Sequence, residues 1–285
     1  AILGMLIPPS LLMIVYGAQA DVSIGKLFVA AIGPGLLMTL AFIITIRVIA
    51  IFKPEYIPAA ETLTEEEKKN YWKIVLLIVI SLGGIWGGLF TPTEAGGVGA
   101  FGAFLLVVFK GKFNWKDFMK TMLSAGQTAG SVLILMISAS TYSKTLSMCG
   151  VINLLSNFVG SLNVAPVLVV VIFILILMIL GCILDSTSII LLTSPLMVPI
   201  LRNMGYDLVW WGIVMIIAIE TGMITPPFGM NVFAVKSTLA NMKGMNDITI
   251  GEIFAGSMPY LTAMIIVDLI CIFIPAVVTF LPSVM

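Results

Sequence analysis

Apolar residues run along this chain in long blocks, and the informative positions are where proline, glycine or a polar cluster interrupts them. The runs 27–51, 164–184 and 258–281 each match or exceed the roughly 20 apolar residues that cross a bilayer as a helix. Between Lys73 and Lys110 lie 36 residues with one charge, Glu94. As a single helix they would extend about 54 Å, against a hydrocarbon core of about 30 Å, so the segment must fold back or break. Phe90-Thr91-Pro92-Thr93-Glu94-Ala95-Gly96-Gly97 supplies the break. Thr91 can cap, Pro92 suits a first helical position, and Glu94 can return to the cap's N–H. Residues 164–202 are also too long for one pass and break at Asp185-Ser186-Thr187-Ser188, which predicts a re-entrant hairpin over 164–203.

One interrupted phrase occurs twice: Gly4-Met5-Leu6-Ile7-Pro8-Pro9 and Gly222-Met223-Ile224-Thr225-Pro226-Pro227. A second pair follows, Ile24-Gly25-Lys26-Leu27-Phe28 with Pro34 and Ile250-Gly251-Glu252-Ile253-Phe254 with Pro259. These echoes divide the chain. Residues 1–51 end a first repeat with a broken helix and a scaffold helix. Residues 52–73 are a charged cytoplasmic linker in which Thr64 and Glu67 fit a capping box. Residues 74–285 form a second repeat. It comprises a helix-break-helix and amphipathic connector (74–125), a transmembrane helix and loop (126–163), the hairpin (164–203), a broken helix (207–240) and a scaffold helix (258–281). Lys and Arg cluster in the linker and again at Lys110, Lys112, Lys116 and Lys120, placing both on the cytoplasmic side. On that map 27–51 runs inward and 258–281 outward, so the repeats are inverted. By symmetry, about 150 further residues are expected ahead of Ala1.

Composition sharpens this picture. A 60% hydrophobic and 10% charged chain lies far from globular averages of about 45–50% and about 25%, and reads as an all-α polytopic membrane protein. Net charge is zero, which gives no bulk attraction to nucleic acid. Histidine is absent, removing the usual metal ligand and general base. Cys149, Cys182 and Cys271 lack any paired spacing, and no phosphate-binding glycine loop or serine–base pairing is present. The chain is therefore expected to be no enzyme and to carry no cofactor.

Two repeats with helices interrupted at membrane depth are the signature of a secondary transporter, with substrate and coupling ion near the breaks. Proline removes N–H donors, so carbonyls over 4–9 and 222–227, Pro227 included, lose helical partners and offer oxygens to Na⁺. A packing kink is the alternative for either break alone. Asp185, Ser186, Thr187 and Ser188 can line a polar cavity where a half-helix N-terminus favours an anionic group, with Asn231 one turn beyond the second break. Asp185 can equally serve as a simple helix cap. Glu220 is open between orienting the break and assisting the ion. Lys144, Lys236 and Asp268 are candidates for buried pairs or snorkelling ends.

The motifs at 4–10, 91–95, 181–185 with Pro195 and Pro199, 205–206 and 221–227 resemble the large membrane subunit of tripartite ATP-independent periplasmic (TRAP) transporters. The likeness covers essentially the whole chain. It implies an inverted-repeat, elevator-type fold in a bacterial or archaeal inner membrane. It also implies Na⁺-driven uptake of organic acids such as C4-dicarboxylates or sialic acid, with a small four-helix membrane subunit and a periplasmic substrate-binding protein as partners. Carried over, a first Na⁺ site includes Gly4, Ile7 and Pro9, and a second Gly181, Gly222 and Thr225. The family's first hairpin has no counterpart here, which leaves the first ion site incomplete. Two rivals stand beside this expectation: a divalent-anion/Na⁺ symporter working without a binding protein, and a scaffold or channel subunit.

Overall fold

The computed structural model describes residues 2–54, 65–111, 113–161, 164–240 and 248–284. Among them are fourteen helices and no strand. In chain order they are α1 (Ile2–Leu6), α2 (Leu11–Ala20), α3 (Ile24–Ala30), α4 (Ile32–Phe52), α5 (Glu65–Trp86), α6 (Pro92–Phe109) and α7 (Trp115–Met148). After these come α8 (Val151–Ser161), α9 (Pro166–Gly181), α10 (Ser186–Asn203), α11 (Leu208–Gly222), α12 (Met230–Ala240), α13 (Ile250–Phe273) and α14 (Ala276–Ser283). The expected capping box at Thr64 lies outside the described residues.

The chain forms two compact units, residues 1–49 with 135–285, and residues 50–134. In the first, α11 is the axis, with every residue from Trp210 to Gly222 buried. A helix that is apolar all round belongs inside packed protein. In lipid, helices are held by close van der Waals fit and interhelical hydrogen bonds, so small residues matter most where backbones approach. Gly212 makes room for the Tyr16 ring, and the Tyr16 hydroxyl donates to the Leu208 carbonyl at 2.8 Å. Trp210 Nε1 donates to the Cys271 carbonyl at 2.8 Å, tying α11 to α13. Arg202 reaches the Ala20 carbonyl at 3.2 Å, joining the end of α10 to the end of α2.

The two echoed phrases at 24–28 and 250–254 each open on a capped helix. Ser23 accepts from the Lys26 amide, and Thr249 forms a full capping box with Glu252. Their continuations differ: α13 runs unbroken past Pro259, whereas the first copy is divided at Ala31 before α4.

In the second unit the apolar run after Lys73 turns back between α5 and α6. Leu89 and Phe90 amides both bond to the Gly84 carbonyl, Gly88 takes φ +69°, and Thr91 with Glu94 makes a reciprocal capping box opening α6. Gly99 and Gly102 face Ser81 and Leu77 across this helix pair, letting the backbones approach. Phe104, Phe113, Trp115 and Phe118 form a ring cluster with centroids 5.6–6.4 Å apart.

Two stretches differ from the sequence expectation. The connector and the crossing expected on either side of residue 125 share one 34-residue helix, α7. The uncharged segment expected as a loop contains α8, because its apolar residues alternate at helical spacing. Five helical stretches are long and apolar enough to cross a membrane, among the described residues. Those in 92–109 and 115–148 bury few of their residues and leave large apolar side chains such as Phe101 and Leu133 exposed. Apolar patches of that extent are untenable in water and natural in lipid. This is a multi-pass membrane protein.

Candidate functional site

The two proline breaks treat their methionine carbonyls alike and their glycine carbonyls differently. Within a helix, the carbonyl of residue i accepts from the amide of i+4. Gly4 and Met5 would need amides from Pro8 and Pro9, and Gly222 and Met223 from Pro226 and Pro227, which have none. In both breaks the methionine oxygen is taken up from beyond the interruption. The Ser10 hydroxyl donates to Met5, and the Asn231 amide donates to Met223 at 3.1 Å. Both Pro-Pro bonds are cis. The glycine oxygens differ: Gly222 accepts the Thr225 amide at 2.9 Å, while no described residue donates to Gly4. Nor does any described residue donate to the carbonyls of Ile7, Pro9, Gly181, Thr225 or Pro227. The Thr225 hydroxyl donates to the Thr221 carbonyl at 2.7 Å, leaving its own lone pairs open to a cation.

The structure brings Gly181, Gly222 and Thr225 into one place. A methyl group on Gly181 would stand 2.7 Å from the Ile219 carbonyl and 2.9 Å from the Gly222 Cα, so these two helix ends touch backbone to backbone. Cys182 follows directly, its thiol near the Pro226 carbonyl at 3.9 Å. Gly4, Ile7 and Pro9 form a separate group. It approaches the second break through α1, whose Ile2 and Leu3 share a cavity with Ile224.

At the hairpin tip the four polar residues divide. Asp185 is exposed and caps α10, accepting from the Ser188 amide at 2.9 Å and the Ser188 hydroxyl at 2.6 Å. Thr187 and Ser188 are half-buried. Ser186 points inward, is buried, and donates to Glu220 Oε1 at 2.7 Å, with Met223 Sδ at 2.8 Å. Its hydroxyl is therefore turned toward the segment leading into the second break, whereas Asp185, Thr187 and Ser188 keep some exposure. Asn231 lines a different space, so the tip and Asn231 are not neighbours in one pocket.

That space is a cavity of about 620 Å³. Its volume falls in the roughly 300–1,000 Å³ range of small-molecule sites. Its polar residues are Asn231 and Thr238 of α12 with Ser257 and Tyr260 of α13, and Phe42 meets the Tyr260 ring edge-on at 5.5 Å. Thr238, Ser257 and Tyr260 were not among the sequence candidates. The signal available was a set of hydroxyl residues, set on apolar helices, following the two echoed phrases.

Residues 1–277 match the family described as tripartite ATP-independent periplasmic transporter, DctM component. The chain is 32% identical over 287 residues to the C4-dicarboxylate TRAP transporter large permease protein DctM of Pseudomonas aeruginosa, covering 99% of this chain and 65% of that protein. It is 29% identical to the sialic acid TRAP transporter permease protein SiaT of Haemophilus influenzae, spanning 45% of it. Against the 2,3-diketo-L-gulonate TRAP transporter large permease protein YiaN of Escherichia coli it is also 29% identical, over 96% of this chain and 64% of that protein. The chain thus spans slightly under two thirds of the DctM and YiaN relatives.

Proposed function

This chain belongs to the DctM family of tripartite ATP-independent periplasmic transporters, and from that membership we propose that it forms the translocating part of a Na⁺-coupled importer of a small organic acid. The similar proteins are named for a C4-dicarboxylate, sialic acid and a diketogulonate, and a carboxylate is common to all three. The observation that carries the reading is the matched pair of breaks, each baring unpaired peptide oxygens beside a proline pair. Backbone carbonyls at unwound segments are a recurring oxygen shell for Na⁺ in transporters built from repeats.

In this proposal Gly4, Ile7 and Pro9 contribute oxygens to one ion, and Gly181, Gly222, Thr225 and Pro227 to another. Asn231 and the hydroxyls of the large cavity meet the substrate, while Thr187 and Ser188 stand apart at the hairpin tip as a second polar surface. Ion binding orders the second break, and the Ser186–Glu220 bond passes that order to the hairpin tip. The inverted repeats move as an elevator in the bacterial inner membrane. A small four-helix subunit flanks them, and a periplasmic binding protein delivers the acid.

The test uses the complete permease with its small subunit and binding protein in proteoliposomes. Labelled succinate and sialic acid are offered under an inward Na⁺ gradient or a matched K⁺ gradient. Uptake that needs both Na⁺ and the binding protein is expected. Uptake indifferent to Na⁺ would remove the ion assignment, and uptake without the binding protein would favour a stand-alone symporter.

A further inference from the structure

Behind the Gly181–Gly222 contact lies a second, smaller cavity of about 120 Å³ between α9, α11 and α13. Its walls are aliphatic from Val171 to Met178 on α9 and at Ile265, Leu269 and Ile272 on α13, with Thr221 from α11. Asp268 also lines it. This side chain is 4% exposed, and its Oδ1 is buried with no hydrogen-bond partner among the described residues. A carboxyl left alone in such surroundings is uncommon, because buried charges are normally paired or coordinated. It serves neither the breaks, the hairpin tip nor the large cavity.

We propose that Asp268 is a proton-binding site. Its carboxyl holds a proton while α9, α11 and α13 are packed, and the O–H bond breaks, with the proton passing to water, when that packing opens. The surroundings decide against other ligands. A Na⁺ shell needs several oxygens, and this cavity supplies only the carboxyl and the Thr221 hydroxyl, which is already bonded to the Ile217 carbonyl at 2.7 Å. No cluster of three or more metal-ligating side chains occurs among the described residues. A proton needs no shell, and the volume also admits a water to carry it, since one water occupies about 30 Å³.

Among the described residues, charged neighbours do not supply a partner. Helix α9 has no titratable residue, and α14 has none. On α11 the carboxyl of Glu220 accepts from Ser186, and Asp207 caps the far end of the helix. On α12, Lys236 donates to the Ile248 carbonyl, and Arg47 on α4 is exposed. On α13 itself Glu252 is engaged in its capping box, Tyr260 faces the large cavity, and Cys271, a neutral thiol, lies three residues further along the helix. Met178 joins the two sites: it lines the small cavity, and its carbonyl lies against Gly222. Deprotonation at Asp268 would therefore loosen the wall on which the second break rests.

The proposal does not depend on Na⁺ coupling, and its test needs no transport. Dicyclohexylcarbodiimide adds to protonated carboxyls in apolar surroundings, so the complete permease in liposomes is treated with it and the peptide bearing residue 268 is weighed. An adduct at Asp268 is expected, and its yield should fall as the pH rises. It should be indifferent to Na⁺ and absent from Asp268→Asn. That variant, a neutral isostere of the protonated form, should retain assembly and thermal midpoint at pH 7. Three results would overturn the proposal: no adduct at any pH, protection by Na⁺ at fixed pH, or an Asp268→Asn permease that fails to assemble.

Discussion

Replacing Gly181 with alanine adds one methyl group where two backbones already touch. The new carbon would stand 2.7 Å from the Ile219 oxygen, against the 3.4 Å at which ordinary contact begins, a shortfall of about 0.7 Å. The atoms in the way are peptide groups of α11, so no side-chain rotation relieves it. The helices must part, and parting them moves the carbonyls of Gly222 and Thr225. Overfilling a packed interface costs typically about 1–3 kcal/mol. If that energy is drawn from ion binding, the Na⁺ concentration for half-maximal uptake rises roughly 5- to 150-fold, at 1.4 kcal/mol per factor of ten. The assay is initial-rate uptake in proteoliposomes across a Na⁺ series, normalised to folded permease. Gly130→Ala is the control, because nothing lies within 4 Å of its added methyl. Should the Gly181→Ala permease be present at normal level with a half-saturation within twofold of the parent, the contact does not position an ion site.

Other substitutions address neighbouring links. Thr225→Ala removes a candidate ligand while sparing the backbone, so Na⁺ half-saturation should rise several-fold with little change in protein level; an unaltered Na⁺ curve would discard that ligand. Glu220→Gln keeps an acceptor for Ser186 and should behave near the parent, whereas Glu220→Ala strands the buried hydroxyl and should lose about 1–3 kcal/mol in thermal unfolding. Equal losses from both would deny the hydrogen bond its role. Asn231→Ala should raise the substrate KM and leave the Na⁺ dependence in place, measured with saturating binding protein; the reverse pattern would move Asn231 to the ion side.

Proline and glycine made much of the architecture readable. The turn-back at 87–91 and the interruptions after Leu6, Gly181 and Gly222 all sit at residues that remove donors or permit close approach. Thr91 and Glu94 were legible as a reciprocal cap because both partners lie within one turn. What escaped the sequence depends on neighbours distant in the chain. Nothing local says that Ser186 turns toward Glu220 rather than into a polar lining, since its direction is set by how α10 leans on α11. Tyr260 and Phe42 meet across two helices more than 200 positions apart, a pairing no periodicity encodes. The α8 segment is different: its apolar residues do fall at helical spacing, but over only 11 residues after Gly150, too short a run to outweigh the absence of charge that marks it as a loop.

Helix α11 is sealed along its sides from Trp210 to Gly222. Lipid therefore meets the helices around it and not α11 itself, so a substitution anywhere along that span is felt first in how its neighbours fit against one another.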